Sequence, residues 1–470
     1  ILMVSSEAHP FSKTGGLADV LGSLPPALVE AGEQVAVVLP RYRGTSLSGA
    51  HKVAEDITLW IGPGRYSVSL WQMHLRGVDY YLVDCPVFFD REGLYAAAGK
   101  DYWDNDTRFA ALCHAALAVA RHFFRPHIIH CHDWQTGLLP AYLHQYYATD
   151  PTFHGVKTVF TIHNLGYQGL FDRGRMFWLG LPDALFRPDL VEFHGSINLL
   201  KMGLVYGDAL TTVSPTYARE IQTPEQGFGL DGLLRARSAS LTGILNGIDY
   251  SVWNTERNPH LAAPYSHDSL EGKRACKLDL LRTMGLPTGN PDVPVVGIVS
   301  RLASQKGFDL IAQVAYDLIH WDIKMAVLGS GEAQYESLFR SLAEARPDKF
   351  AVRVAFDNGL AHKIEAGSDI FLMPSHYEPC GLNQMYSLRY GAVPVVHATG
   401  GLDDTIDEGT GFKFWSYSSD AMLGALREAL SVYALDRDRW TAMMRTGMQK
   451  DFSWSKSAAA YAALYAGLLA

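Results

Sequence analysis

At 470 residues the chain is too long for a single hydrophobic core, so two or three domains are expected. It is 48% hydrophobic and 19% charged, as in an ordinary soluble globular protein, and its formal net charge of -9 argues against a nucleic-acid or anionic-membrane partner, either of which favours a basic face. Cys85, Cys113, Cys131, Cys276 and Cys380 form no CxxC pair, which suits a reducing compartment and offers no zinc site. No apolar run is long enough to span a bilayer, and the chain begins at Ile rather than Met, which points to a trimmed or processed end.

The first run, ILMVSSE, reads as a buried strand, and SKTGGLADVLGSLPPAL continues it as a glycine turn and a helix with Leu17, Val20, Leu21, Leu24 and Leu28 on one face. Pro25 and Pro26 should kink or restart that helix, and Gly32 should end it. QVAVVLP is the next strand, completing the opening of a βαβ unit. In such a turn Gly15 and Gly16 let a ligand approach the backbone, the helix N-terminus offers N–H groups to an anion, and Lys13 adds a positive charge. The ordinary alternative, a tight turn beside a solvated lysine, stays open at this point. Further strands are expected at Ile128–His132, 158–163 and 209–213, separated by the helical stretches RFAALCHAALAVARHFF and HGSINLLKMGLVYG. A polar, proline-bearing stretch from Asn246 to about Ser269 reads as a connection. Beyond it the strands VPVVGIVS, MAVLGSG, FAVRVAF, DIFLMPS and VPVVHATGG alternate with helices such as FDLIAQVAYDLIHW. Strands apolar along their whole length, alternating with helices, indicate two doubly wound parallel sheets.

Ligands of open α/β sheets bind outside the carboxyl ends of the strands. Those ends read HCHDW, TIHNLGYQG, TTVSPTY, VSRLASQKG, LGSGE, MPSHYEPCGL and ATGGLDD, which are rich in small, polar and charged residues. A lone histidine there, such as His132, is more often satisfied within its loop than functional. The Asp-x-Asp at Asp436–Asp438 sits in a charged helical stretch and reads as a solvated face, so no acidic pair argues for a metal. Arg301 and Lys306 share one loop-to-helix turn after a strand, where they could grip an anion, although on spacing alone a solvated helix start is the more ordinary reading. The first turn lacks G-x-G-x-x-G, which sets aside a nicotinamide oxidoreductase.

KTGGLADV from Lys13, HDWQTGL from His132, TIHNLGYQG from Thr161, VSPTYAREI from Val213, ILNGID from Ile244, SRLASQKG from Ser300, EPCGLNQ from Glu378 and TGGLDDT from Thr399 strongly resemble the bacterial glycogen synthases and plant starch synthases. The resemblance implies the GT-B glycosyltransferase fold: an α/β protein of two Rossmann-like, doubly wound domains facing an interdomain cleft. The expected division is 1–245 for the acceptor side, 246–455 for the nucleotide-sugar donor, and 456–470 for a helix crossing back to the first domain. The implied reaction transfers glucose from ADP-glucose to the nonreducing 4-hydroxyl of an α-1,4-glucan with retention. ADP-glucose is then a substrate and no cofactor or metal is required; the partners are ADP-glucose and glucan, with no nucleic acid and no membrane. The compartment would be cytoplasmic in a bacterium and plastidic in a plant. A related retaining enzyme using UDP-glucose, or a catalytically silent glucan-binding relative, are the alternatives, although a silent relative would be free to lose Lys13, Arg301, Lys306 and Glu378.

Carried over residue by residue, the resemblance places Glu378 near the donor sugar as a catalytic group, together with Arg301, Lys306 and His163. It assigns nucleotide-sugar binding to Lys13, Gly15, Gly16, Asp19, Asn164, Asn246, Phe356, Cys380, Gly381, Leu382, Thr399, Gly400 and Gly401, with Tyr95 and Asp133 on the acceptor side of the cleft. Three departures stand out. Tyr386 occupies the place where many GT-B enzymes carry a second glutamate, Phe356 stands where the bacterial enzymes often have a tyrosine over the adenine, and DDTIDEGTGF is shorter than the usual loop.

Overall fold

Burial on both faces explains the apolar runs. Leu2–Val4 and Ala36–Pro40 are buried at every position, as are Ile128–His132, Lys324–Leu328 and Val393–His397. The computed structural model describes residues 1–470, which divide into two units, Ile1–Gly247 with Trp454–Ala470 and Ile248–Ser453.

The first unit is built on a nine-stranded sheet in the order Leu241–Gly243, Ala209–Thr212, Lys157–Ile162, Ile128–His132, Leu2–Val4, Ala36–Pro40, Val78–Asp84, Gly64–Leu75, His51–Ile61. Leu2 pairs in parallel register with Ala36 on one side and Ile129 on the other. The last two strands are an antiparallel hairpin at the sheet edge, largely solvent-exposed along His51–Ile61, so neither gives the apolar run that marks the other strands. The helix Gly16–Glu30 buries Val20, Leu21, Leu24 and Leu28 and is unbroken through Pro25 and Pro26, which are buried with them. The expected restart therefore does not occur: burial of the helix face outweighs the two backbone hydrogen bonds the prolines remove. The helix expected over HGSINLLKMGLVYG begins only at Leu199, because Ser196–Asn198 pairs as a strand with Leu170–Asp172 and Glu192–Phe193. The last helix, Trp454–Leu469, packs Trp454, Ala458, Tyr461 and Tyr465 into the same core as Val20, Leu24 and Leu28.

The second unit carries a six-stranded, fully parallel sheet in the order Phe350–Arg353, Lys324–Leu328, Val295–Val299, Ile370–Met373, Val393–His397, Phe412–Phe414. The helix expected over FDLIAQVAYDLIHW is two, Phe308–Gln313 and Ala315–His320, divided at Val314. The chain passes between units at Gly247–Ile248, and the rest of the stretch read as a connection is packed into the second unit. Trp253 lies flat on Tyr386, with centroids 3.6 Å apart and planes at 8°, and Tyr265 is buried beside Tyr390 and Met448. No helix is long and apolar enough to cross a membrane.

Candidate active site

In the first unit the strand Leu2–Val4 runs into Glu7, a buried carboxylate that accepts hydrogen bonds from the Tyr95 hydroxyl and from the Thr14 backbone N–H and hydroxyl. Tyr95 also bonds Ser6 Oγ at 2.8 Å, and burial pushes its phenol well above its ordinary value, so it stays protonated. Sequence reasoning missed Glu7 because it ends a run read simply as strand; the signal was a carboxylate directly at a strand's carboxyl end. Thr14 connects Glu7 to the glycine turn. There Lys13 Nζ and Asp19 Oδ1 pair at 2.6 Å on the surface. Gly15 is extended, at φ -157°, and no atom lies within 4 Å of where a Cβ would stand. Neither backbone conformation nor packing demands glycine at position 15.

The adjacent strands Ile128–His132 and Lys157–Ile162 bring Asp133 beside His163 and Asn164. Asp133 Oδ1 accepts the His163 N–H at 2.7 Å, and the Asn164 N–H also bonds its carboxylate. Its φ of 58° with ψ of -178° is a region that side-chain-bearing residues rarely occupy, costing about 1–3 kcal/mol. Bonds from the Asp133 N–H to Thr161 O and from the Thr136 N–H to Asp133 O hold it there. Burial raises the Asp133 carboxyl to about 7, against the opposing pull of those N–H groups. His132 Nδ1 and His163 Nε2 lie 3.0 Å apart. His130 stacks on His132 with centroids 4.1 Å apart and bonds Tyr465 Oη at 2.7 Å and Thr161 Oγ1 at 2.5 Å. Desolvation pushes all three imidazoles down, His130 and His163 to about 3, so all are neutral near pH 7. Asn246, at the end of this unit, is buried with its Oδ1 lacking a partner.

In the second unit the strand Val295–Val299 delivers Arg301, an exposed guanidinium bonded to Gln305 Oε1 at 3.1 Å, and the turn Ser304–Lys306. Gly307 closes that turn at φ 78°, and a Cβ there would fall 2.0 Å from Pro374 O, so this turn does require glycine. Lys306 Nζ meets Glu378 Oε2 at 2.5 Å, and the Ser375 hydroxyl donates to the same oxygen at 3.0 Å. Glu378 is almost entirely buried, whereas Lys306 keeps partial exposure. Cys380 is buried and in no disulfide, and its carbonyl and that of Gly381 each accept from Gln384 Nε2 at 3.0 Å. Leu382 precedes the helix Asn383–Arg389. The loop from Thr399 packs directly on this segment. Cβ atoms on Gly400 and Gly401 would lie 1.9 Å from Glu378 O and Cys380 O, so close approach of two loops explains both glycines without a ligand.

Phe356, beyond the strand Phe350–Arg353, is 89% exposed. Tyr386 is occupied by its stacking on Trp253, which gives the residue at the second-glutamate position a packing role. The short DDTIDEGTGF segment is a closed turn in which the Gly411 N–H bonds Asp407 O at 3.0 Å and Lys450 pairs with Asp407 at 2.6 Å. Asp436 caps the helix Arg437–Gln449 by accepting from Arg439 N at 3.0 Å. A second Asp-x-Asp, Asp104-Asn105-Asp106, escapes the sequence reading. Both carboxylates are taken by arginines, Asp104 by Arg91 at 2.7 Å and Asp106 by Arg175 at 2.6 Å.

The family described as starch synthase catalytic domain matches residues 1–236, and that described as glycosyl transferases group 1 matches residues 287–443. A glycogen synthase of Koribacter versatilis is 51% identical over 99% of this chain and 97% of its own length. One from Anaeromyxobacter sp. is also 51% identical, over 100% of this chain and 99% of its own. The chain belongs to the starch and glycogen synthase family. Among solved structures, the catalytic domain of starch synthase IV from Arabidopsis thaliana, bound to ADP and acarbose, aligns with a TM-score of 0.91 and 32% identity over 100% of this chain and 99% of that one. A sucrose-phosphate synthase from Thermosynechococcus elongatus shares the fold, with a TM-score of 0.63 at 17% identity, covering 99% of this chain and 98% of that one. This starch and glycogen synthase relative is thus a glycosyltransferase with the GT-B fold, as its motif blocks imply.

Proposed function

We propose that the protein transfers glucose from ADP-glucose to the nonreducing 4-hydroxyl of an α-1,4-glucan with retention, and that the donor's diphosphate is met by Arg301 and Lys306. Glucosyl transfer to a glucan is the family's reaction. The observation that carries the donor reading is the group formed by Lys306, Glu378 and Ser375 beside the Arg301 turn. A cation held against a buried carboxylate at 2.5 Å is preorganised, and a departing diphosphate supplies charge that Lys306 can oppose without reorganisation, with Arg301 of the same turn adding a second cation. Glu378, paired with Lys306, is the carboxylate that would stabilise the cationic character developing on the glucosyl ring as the leaving bond stretches.

In the first unit, His163 and Asn164 contact the transferred glucose, and Asp133 fixes their backbone. Glu7, Ser6 and Tyr95 form a polar cluster suited to acceptor hydroxyls. The open space over Gly15 supports a role for the Lys13–Gly16 turn in receiving phosphate, with Asp19 as the partner Lys13 leaves. Lysine and arginine charge takes the place of a divalent ion on the diphosphate. The deciding experiment measures transfer of labelled glucose from ADP-glucose and from UDP-glucose onto glycogen, with and without EDTA. Preference for ADP-glucose and indifference to EDTA are expected. Preference for UDP-glucose overturns the donor assignment, and loss of activity in EDTA restored by magnesium overturns the metal-free reading.

A further inference from the structure

His132 has one hydrogen-bond partner for two ring nitrogens. Its Nδ1 lies 3.0 Å from His163 Nε2, while its Nε2 is buried without a partner. His130 cannot supply one, because its own nitrogens are engaged by Tyr465 and Thr161 and its ring lies stacked on His132. Burial keeps His132 and His163 neutral, so each ring carries one N–H, and the 3.0 Å hydrogen bond between them requires that one of the two facing nitrogens, and not both, be protonated.

The two arrangements are unequal. If His163 donated from Nε2, the single proton of His132 would sit on its Nε2 as a buried N–H with no acceptor. If His132 donates from Nδ1, its Nε2 is a buried bare nitrogen, an unfilled acceptor. Orphaned buried donors are rarer and costlier than under-used acceptors. The donor is therefore His132 Nδ1, and the proton of His163 is left on Nδ1, the one ring nitrogen that His132 does not occupy.

We propose that His132 is a positioning residue that fixes His163 as its Nδ1–H tautomer, so that His163 meets a sugar hydroxyl oxygen as a hydrogen-bond donor and not as a base. The role toward sugar rests on the reading of His163 as a glucose contact; the tautomer does not. Tyr465 of the last helix and Thr161 hold His130, whose ring in turn backs His132, so the device is assembled from three neighbouring elements of one unit.

The test is a long-range proton–nitrogen NMR spectrum of the full chain labelled with 15N-histidine, the His163 ring signals being identified by their loss in His163→Gln. In the unmodified protein without donor, Nδ1 of His163 is expected to be protonated and Nε2 bare; the reverse assignment overturns the proposal. In His132→Phe the His163 ring should lose that fixed tautomer, whereas His132→Asn, whose amide N–H falls near the position of Nδ1, should keep it. Glucose transfer should follow the spectra: kcat/KM for the sugar donor falls about tenfold in His132→Phe, as for one misdirected neutral hydrogen bond, and recovers in His132→Asn. Unchanged His163 signals in a folded His132→Phe protein, or equal activity of the Phe and Asn variants, overturn it. Because the unmodified protein is read without substrate, the tautomer stands or falls independently of which nucleotide sugar is used.

Discussion

The strand ends of the first unit hold neutral imidazoles, two of them stacked, beside a strained aspartate, whereas those of the second present a guanidinium to solvent and a lysine tied to a buried glutamate. The contrast follows from what each set of groups can do. Buried neutral donors fix hydroxyl positions and gain little from charge that appears during reaction, because their dipoles are small. Preorganised full charges act where charge changes between ground and transition states. Under the proposed function, the charge that opposes the departing diphosphate comes chiefly from the second unit, whereas the sugar's geometry is set by the first.

The largest effect that would break this contrast comes from Arg301. Arg301→Ala is expected to lower kcat by about two orders of magnitude or more with an unchanged unfolding midpoint, because its side chain is exposed. Lys306→Ala should lower turnover comparably and also destabilise the fold, since it strips the partner from the buried Glu378 carboxylate. Steady-state assays alongside denaturant melts separate the two. Near-normal turnover in folded Arg301→Ala would leave the Arg301 charge without a catalytic role, and the same result for both variants would remove that role from the second unit.

Gly400→Ala comes next. At φ 46°, with a Cβ that would press 1.9 Å from Glu378 O, the substitution must move the loop that carries Glu378. Overpacking of this kind costs about 1–3 kcal/mol, measurable by chemical denaturation, and activity should fall with it. A variant as stable as the parent would show that the two loops can part freely.

How much of this was legible in the sequence depends on whether the signal is local. Parallel strands buried on both faces announce themselves as apolar runs, so the alternation in both units could be read, and with it the strand ends where Arg301, Asp133 and His163 stand; the roles given to those residues rest on the family resemblance. The exposed strand His51–Ile61 has no such run and was not read. Pro25 and Pro26 misled because burial of the helix decides their tolerance. His132 looked like an ordinary loop histidine because its partner lies on a neighbouring strand, 31 residues away in sequence. The resemblance assigns Gly400 and Gly401 to the nucleotide sugar, and only the distances to Glu378 and Cys380 add a packing reason that no sequence pattern carries.

Asp133 sharpens the contrast through pH. Its folded value, about 7, lies above the ordinary 3.8, so between these values the native state binds the proton that the unfolded chain has released. The stability change with pH from this group is therefore negative across that window: the penalty is absent below about pH 4, grows as pH rises, and is complete above about 7. Asp133→Asn should flatten that slope, so the parent and variant unfolding midpoints, compared at pH 4.5 and 8, near the two ends of that window, should shift in the variant's favour at the higher pH. Parallel curves for the two proteins would mean that the carboxylate is ionised throughout and that the first unit's strand ends are less neutral than described.

The smallest effect on the fold should come from Gly15→Ala. An alanine there adopts extended backbone without strain and its methyl meets no protein atom within 4 Å, in contrast to the crowded Gly400. Its stability should match the parent within about 0.5 kcal/mol. If the space over Gly15 serves only solvent, kinetics should be unchanged too; if phosphate lies there, the methyl intrudes on the ligand alone, and KM for the sugar donor rises while the melt stays put. Isothermal titration with ADP against both proteins reads the difference directly. Weakened ADP binding at constant stability assigns this glycine to a ligand, whereas identical affinities return it to an open surface turn and leave Lys13, paired with Asp19 at 2.6 Å, as a surface ion pair.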